Sequence, residues 1–167
     1  MPVETRLAVH VLIHRHEQFK PSSTGMVVGR AVRGAVRHIY QRVSRRVPAV
    51  GFAADAIEPG RRLWILHPAG EPFPASSTAA GDPPHEHIQI LLLDGTWRQA
   101  GDMLRSVEGF GRCVRLPAAA AEPSRYWLRE QPAPAHVSTA EALVHVFQAV
   151  GEPDAAARLQ LHFELHV

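Results

Sequence analysis

An acid, a glycine and a threonine follow a run of apolar residues in the segment LLLDGTWRQAGDML, residues 91–104. The apolar run predicts a buried strand, and the residues after Thr96 predict the start of an amphipathic helix. Asp94 would then lie at the carboxyl end of a strand, where open α/β sheets bind their ligands. The first amides of the helix would add a site for an anion. The simpler alternative is that Asp94 or Thr96 only caps the helix.

A second helix start with suitable chemistry lies in STAEALVHVFQAV, residues 138–150. Ser138 and Glu141 have the spacing of a capping box, which predicts a helix beginning at this point. Amides beside Ser138 and Thr139 could hold a ligand carboxylate. The alternative is a capping box with only a structural role.

Metal chemistry is not expected. Cys113 is the single cysteine, which excludes a disulfide framework and a cysteine-based zinc site within the chain. The 11 histidines include close pairs, but none has an acid or cysteine partner at a recognised ligand spacing. The pairs considered are His14 with His16, His85 with His87, and His162 with His166.

Positive charge is concentrated at the start of the chain. Residues 1–50 carry a net charge of +7 and the remainder −5, although the whole chain is only +2. Six arginines and no acid lie between residues 30 and 46. Arginine binds phosphate in a bidentate manner and stacks on bases, so this stretch is a candidate nucleic-acid surface. The alternative is an ordinary solvated face. The six are Arg30, Arg33, Arg37, Arg42, Arg45 and Arg46.

These segments must be positioned by an α/β fold with a mostly parallel sheet flanked by helices. Strands are predicted at 7–14, 63–67, 88–94 and 112–116, and helices at 25–33, from 96 to about 109, and at 138–150. Residues 35–43 fit a strand or a helical continuation, and we favour the strand. Pro68 is predicted to end its strand, and 68–87 to form a surface loop. The last segment alternates like a strand but begins like a helix, and we predict a helix.

The 167 residues suit a single domain, 1–167, with 46% apolar and 20% charged residues. No apolar run is long enough to span a membrane, and no signal peptide is visible at the start. We therefore expect a cytoplasmic protein, and a monomer.

Three motifs in order resemble the DTW-domain family, named for its Asp-x-Thr-Trp motif. Asp94, Thr96 and Trp97 match that motif. The upstream segment HRHEQFKPSSTG, residues 14–25, resembles the family's His-Arg-x-Glu and Lys-Pro-x-Asn-Thr-Gly region, with Ser23 in place of its Asn. Ser138-Thr139-x-Glu141-Ala142 matches its Ser-Thr-x-Glu-Ala stretch. The resemblance covers roughly residues 7–165.

The resemblance implies a specific reaction. Proteins of this family are tRNA-uridine aminocarboxypropyltransferases, which move the 3-amino-3-carboxypropyl group of S-adenosylmethionine to N3 of a tRNA uridine and release methylthioadenosine. They are related to the SPOUT-type knotted enzymes. A SPOUT-like fold with a C-terminal trefoil knot is therefore expected, with S-adenosylmethionine as co-substrate, tRNA as partner and no metal.

Site residues follow from that resemblance. Asp94 is the expected base for the N3 proton. Thr24, Gly25 and Arg98 are expected to contact substrate, together with four arginines of the basic stretch: Arg30, Arg33, Arg37 and Arg42. Candidates for the co-substrate site are Thr96, Trp97, Leu66, Leu116, Tyr126, Leu128, Ser138 and Thr139. Trp97 could instead pack its helix onto the sheet, and each apolar candidate could be ordinary core.

Two other functions remain open at this point. A SPOUT-type RNA methyltransferase would use the same co-substrate but release S-adenosylhomocysteine. A non-catalytic RNA-binding module would bind RNA without S-adenosylmethionine.

Overall fold

The computed structural model describes residues 1–74, 84–116 and 137–166. In chain order the elements are β1 (Ala8–His14), α1 (Thr24–Ala31), β2 (Val36–Tyr40), β3 (Arg62–Pro72), β4 (Ile88–Asp94), α2 (Trp97–Val107), β5 (Arg112–Arg115), α3 (Thr139–Ala149) and α4 (Pro153–Glu164). Short 3₁₀ turns lie at Ala54–Ala56 and His85–His87.

The five strands form one parallel sheet in the order β2-β1-β4-β3-β5. β4 lies at the centre and is apolar along almost its whole length, because both of its faces are covered. The predicted α/β fold with a parallel sheet between helices is confirmed. The order also brings the carboxyl ends of β1 and β4 together, since Ile13 pairs with Asp94.

Alternate residues of each strand contribute to two cores. On β1, Val9, Val11 and Ile13 face the larger core, which includes residues of α1, α3 and α4. Leu12 faces the smaller core, which includes Met103 of α2. Helices therefore cover both faces of the sheet, and of the helices in the described ranges α2 covers one face while α1, α3 and α4 cover the other.

Most predicted elements are confirmed, including the strand over 36–40 and the final helix, which begins with Pro153 in its first turn. The predicted end of β3 at Pro68 is wrong, because the strand continues to Pro72. Leu66 and Glu71 both pair with Val114 of β5, so the intervening residues form a bulge. Proline is tolerated at a bulge because no ladder N–H is needed there.

Part of the predicted 68–87 loop is therefore strand, and His85–His87 is a 3₁₀ turn. Residues 75–83 lie outside the described residues. The SPOUT-like fold and its trefoil knot stay predictions, because residues 117–136, between β5 and α3, are also outside the described ranges. In the ranges that the structure describes, no helix has the length and apolarity required to cross a membrane.

A histidine pair lies on the α2 face of β1 and β2. His10 Nδ1 is 2.8 Å from His38 Nε2, and His10 Nε2 is 3.4 Å from a carboxylate oxygen of Glu58. The two rings stack, and Phe52 packs against both edge-on. Burial lowers the pKa of His10 and of His38, although Glu58 partly opposes the change at His10. Both rings are consequently neutral in the folded protein at neutral pH.

This pair predicts a loss of stability in mild acid. A folded-state pKa below the unfolded value of about 6.5 means that the unfolded chain binds protons first as pH falls below 6.5. The free energy of unfolding should then fall, by at most about 1.4 kcal/mol per pH unit for each proton. We expect His38→Gln to reduce the difference between urea unfolding at pH 7.5 and at pH 5.5. An unchanged difference would contradict a role for His38 in it.

Candidate active site

The site lies where three segments meet at the carboxyl ends of β1 and β4. After β1 the chain runs through residues 15–23 to α1, and after β4 it turns at Gly95 into α2. The start of α3 approaches from the other half of the sequence. Parallel neighbouring strands end at the same edge, which is why the predicted motif segments converge.

Asp94 is at the centre of this meeting point and is buried. Its Oδ2 accepts a 2.6 Å hydrogen bond from the Ser23 hydroxyl. Its Oδ1 accepts from the Thr139 hydroxyl at 2.7 Å and from the Gly25 amide at 3.3 Å. We call these four residues the Asp94 junction. A buried carboxylate is tolerated because these donors replace water.

Ser23 is a member of the junction that sequence reasoning did not assign to the site. It occupies the N-cap position of α1, yet its side chain does not cap that helix. Its hydroxyl donates to Asp94 instead, across 71 positions of sequence. Its place in the Ser-Thr-Gly segment of the first motif could have indicated a site role, because the two residues that follow it were already site candidates.

Gly25 approaches Asp94 too closely for a side chain. A Cβ atom at position 25 would lie 2.6 Å from Cγ of Asp94 and 2.7 Å from Oδ2. Neighbouring Thr24 links α1 to α3, because its hydroxyl accepts a 3.2 Å hydrogen bond from the Ala140 amide. Of the predicted substrate residues, Gly25 therefore contacts Asp94 and Thr24 contacts the start of α3. Whether they contact substrate stays a prediction.

The capping box at the start of α3 is confirmed. The Ser138 hydroxyl accepts from the Glu141 amide, and the Glu141 carboxylate accepts from the Ser138 amide. Two amides of this first turn, at Ala140 and Glu141, are therefore engaged within the protein. The contribution of Thr139 is its hydroxyl, which donates to Asp94 and retains lone pairs that can accept a hydrogen bond.

The start of α2 has its own capping box, formed by Thr96 and Gln99. Asp94 therefore does not cap α2; Thr96 does. Trp97 is 47% exposed, whereas Ala100, Met103 and Val107 form the buried side of the helix. Trp97 is thus not part of the buried side of α2.

His67 of β3 lies close to Trp97 and was not among the sequence candidates. The two ring centroids are 6.1 Å apart. Burial lowers the pKa of His67, and its Nδ1 accepts a 3.0 Å hydrogen bond from the Ala69 amide. The neutral ring therefore carries its proton on Nε2, which makes that nitrogen a hydrogen-bond donor. No sequence pattern marked His67, because the bulge that follows it depends on pairing with β5.

The remaining apolar candidates divide into two groups. Leu66 is a buried core residue, and Leu116 is partly buried against the same core. Ordinary packing accounts for both positions, and their assignment to the co-substrate stays a prediction. Tyr126 and Leu128 lie outside the described residues.

The six arginines of residues 30–46 are all exposed, and we call them the arginine surface. They lie at the end of α1, on the edge strand β2, and in the segments after these two elements. Arg33 pairs with Glu4 at 2.7 Å, and Arg42 Nε lies 3.4 Å from the Ser44 carbonyl oxygen. The predicted substrate residue Arg98 is separate from this group and is exposed on α2.

The histidine pairs do not form metal sites in the described ranges, where no group of three or more His, Cys, Asp or Glu side chains is placed to hold a metal. His14 stacks on His16 with centroids 5.2 Å apart, and His162 contacts the Met1 carbonyl oxygen at 3.0 Å.

Comparison with known proteins agrees with the motif reading. The family model described as DTW domain matches residues 1–167, which is the whole chain. No solved structure matches the chain significantly.

Proposed function

Because the chain belongs to the DTW domain family, a membership consistent with a tRNA-modifying role in general, we propose a specific reaction for it. It transfers the 3-amino-3-carboxypropyl group of S-adenosylmethionine to N3 of a uridine in tRNA. The observation that carries this proposal is the Asp94 junction, in which residues of all three family motifs meet around one buried carboxylate.

The protein's main chemical task in this reaction is to remove the N3 proton of uracil, which is largely retained at neutral pH. S-adenosylmethionine supplies the electrophile: attack by N3 on the γ-carbon of its methionine part breaks the carbon–sulfur bond and releases methylthioadenosine. We assign Asp94 as the carboxylate that accepts the N3 proton. Such general-base assistance typically contributes about 10²- to 10⁴-fold.

The hydrogen bonds of Asp94 indicate the route for that proton. A carboxylate has about four lone-pair positions. Described residues occupy two on Oδ1 and one on Oδ2, so the remaining position is on Oδ2. Because the Ser23 hydroxyl already donates to Oδ2, it can also accept a proton from uracil while passing its own to Asp94. Proton transfer is therefore assigned to Oδ2, directly or through Ser23.

Residues near the junction fit the co-substrate. Half-exposed Trp97 offers an aromatic face to adenine. The Thr139 hydroxyl donates to Asp94, so its lone pairs remain for an ammonium group such as that of the methionine part. These assignments rest on chemical type, on the contact of Thr139 with Asp94, and on the sequence position of Trp97 close after Asp94.

The reaction products test the proposal. We expect chelator-treated protein, incubated with tRNA and S-adenosylmethionine, to yield aminocarboxypropyl-uridine in the digested tRNA and methylthioadenosine in the supernatant. Nucleoside mass spectrometry and chromatography measure both. S-adenosylhomocysteine with a methylated nucleoside would identify a methyltransferase instead, and tRNA binding without either by-product would identify a binding module. Activity that disappears with chelator and returns with zinc would overturn the metal-free expectation.

A further inference from the structure

A cleft of about 310 Å³ lies between the segment after β1, helix α1 and the edge strand β2. We call it the Phe19 cleft. Its lining residues are Gln18, Phe19, Met26, Arg37 and Ile39.

The cleft presents apolar groups to solvent. Phe19 is 88% exposed and Ile39 is 39% exposed. Single exposed apolar residues are common, but here an aromatic ring, a thioether and a branched aliphatic chain line one concave surface. A ring in this position offers an open face for stacking.

Arg37 is held against α1 at one side of the cleft. The aliphatic part of its side chain lies against Gly29, where a Cβ atom would collide with it. Its Nη1 is 3.7 Å from the sulfur of Met26. The guanidinium is therefore positioned at the cleft, and less side-chain entropy is lost when it binds an anion.

The charge around the cleft selects an anionic occupant. Arg37 belongs to the arginine surface, and no acidic residue lies between residues 30 and 46. Arg30 at the end of α1 is exposed on the same helix that carries Met26. An aromatic face beside guanidinium groups suits a planar base with its phosphate, as in single-stranded nucleic-acid recognition.

The cleft is connected to the Asp94 junction along the chain. Met26 follows Gly25, whose amide donates to Asp94. Phe19 lies in the segment that leads to Ser23, whose hydroxyl donates to the same carboxylate. Two of the segments that line the cleft therefore also contribute residues to the Asp94 junction.

We propose that the Phe19 cleft binds one unstacked nucleotide of the RNA substrate next to the target uridine. Its base stacks on Phe19 and its phosphate contacts Arg37. This inference rests on the proposed function for the identity of the RNA, but the binding step itself requires no transfer chemistry.

Fluorescence anisotropy with labelled tRNA, in the absence of S-adenosylmethionine and over a range of salt concentrations, tests the cleft. Phe19→Ala should weaken binding roughly 5- to 150-fold, as expected for loss of one stacked base. Phe19→Trp should retain affinity because it retains an aromatic face. Arg37→Ala should lower the slope of log affinity against log salt by about 0.7 to 0.9, the value for one phosphate contact.

Two exposed residues of the α4 segment provide matched controls. Arg158→Ala removes an arginine that also lies 3.7 Å from a methionine sulfur, and Leu165→Ala removes a 79% exposed apolar side chain. Both should bind tRNA like the wild type. Thermal melts of every variant establish that the fold is retained.

The outcomes separate this inference from the proposed function. If wild-type protein forms aminocarboxypropyl-uridine but Phe19→Ala binds tRNA with unchanged affinity, the cleft inference is overturned and the function stands. If Phe19→Ala loses affinity but wild-type protein forms no product, the cleft inference stands and the proposed reaction is overturned. If Phe19→Ala and the control variants lose the same amount of tRNA affinity, the cleft inference is also overturned.

Discussion

Replacing Asp94 by Asn should slow aminocarboxypropyl transfer to tRNA by about 10²- to 10⁴-fold, the range typical of a lost general base. An amide cannot accept a proton at neutral pH, whereas its size is nearly that of the carboxylate. The transfer rate, followed by nucleoside mass spectrometry at saturating S-adenosylmethionine, should fall much more than the affinity for tRNA.

The stability of this variant should fall only moderately. The amide oxygen of Asn can still accept from Thr139 and Gly25, as Oδ1 does in the wild type. The amide nitrogen would face the Ser23 hydroxyl, which must then accept instead of donate. Loss of one hydrogen bond to a charged group costs about 1.5–3 kcal/mol, and rotation of the hydroxyl offsets part of it.

Asp102→Asn is the matched control for this substitution. Asp102 is a half-exposed acid on α2 that pairs with Arg105 in the same helix, so its loss should change stability by less than about 1 kcal/mol. The Asp102→Asn variant should transfer at the wild-type rate. If Asp94→Asn also transfers at the wild-type rate, Asp94 is a structural residue and the base lies elsewhere.

The parts of the fold that were predictable from sequence are those determined by local patterns. β4 is nearly all apolar because it is covered on both faces, and its composition alone identifies it. The capping box of α3 depends on two residues three positions apart. The bulge in β3 was not predictable, because it arises from pairing with β5 across a register shift.

The same distinction holds at the candidate site. The motif order indicated that Asp94, Gly25 and Thr139 belong together, but it did not indicate which atoms meet. The contacts of Asp94 span 45 to 71 positions of sequence, and a pattern of neighbouring residues carries no information about them. Ser23 was overlooked for this reason, because its contact with Asp94 joins residues 71 positions apart.

The junction gives the three motifs a common physical role. Ser23 and Gly25 fix the segment after β1, Thr139 fixes the start of α3, and all three do so through one carboxylate. Thr24 adds a direct link between α1 and α3. Asp94 therefore joins the two halves of the chain, in addition to its proposed role as a base.

Gly25→Ala should be the most disruptive single-methyl change near the site. The new Cβ would lie 2.6 Å from Cγ of Asp94, and the carboxylate is held by three hydrogen bonds that oppose its displacement. Overpacking of this kind costs about 1–3 kcal/mol. Alanine is better than glycine within a helix by about 0.5–1 kcal/mol, which offsets part of that cost. We expect lower stability in urea unfolding and a strongly reduced transfer rate.

Gly101→Ala on α2 separates the steric effect from helix propensity. The nearest side-chain atom to a Cβ at this position is the Arg105 guanidinium, 3.9 Å away. This variant should therefore be more stable than the wild type by about 0.5–1 kcal/mol, with unchanged transfer. A loss of stability in Gly25→Ala together with a gain in Gly101→Ala would show that contact with Asp94 causes the loss. If Gly25→Ala instead gains stability as Gly101→Ala does and transfers normally, the carboxylate is free to move, and a rigid Asp94 junction is not required for activity.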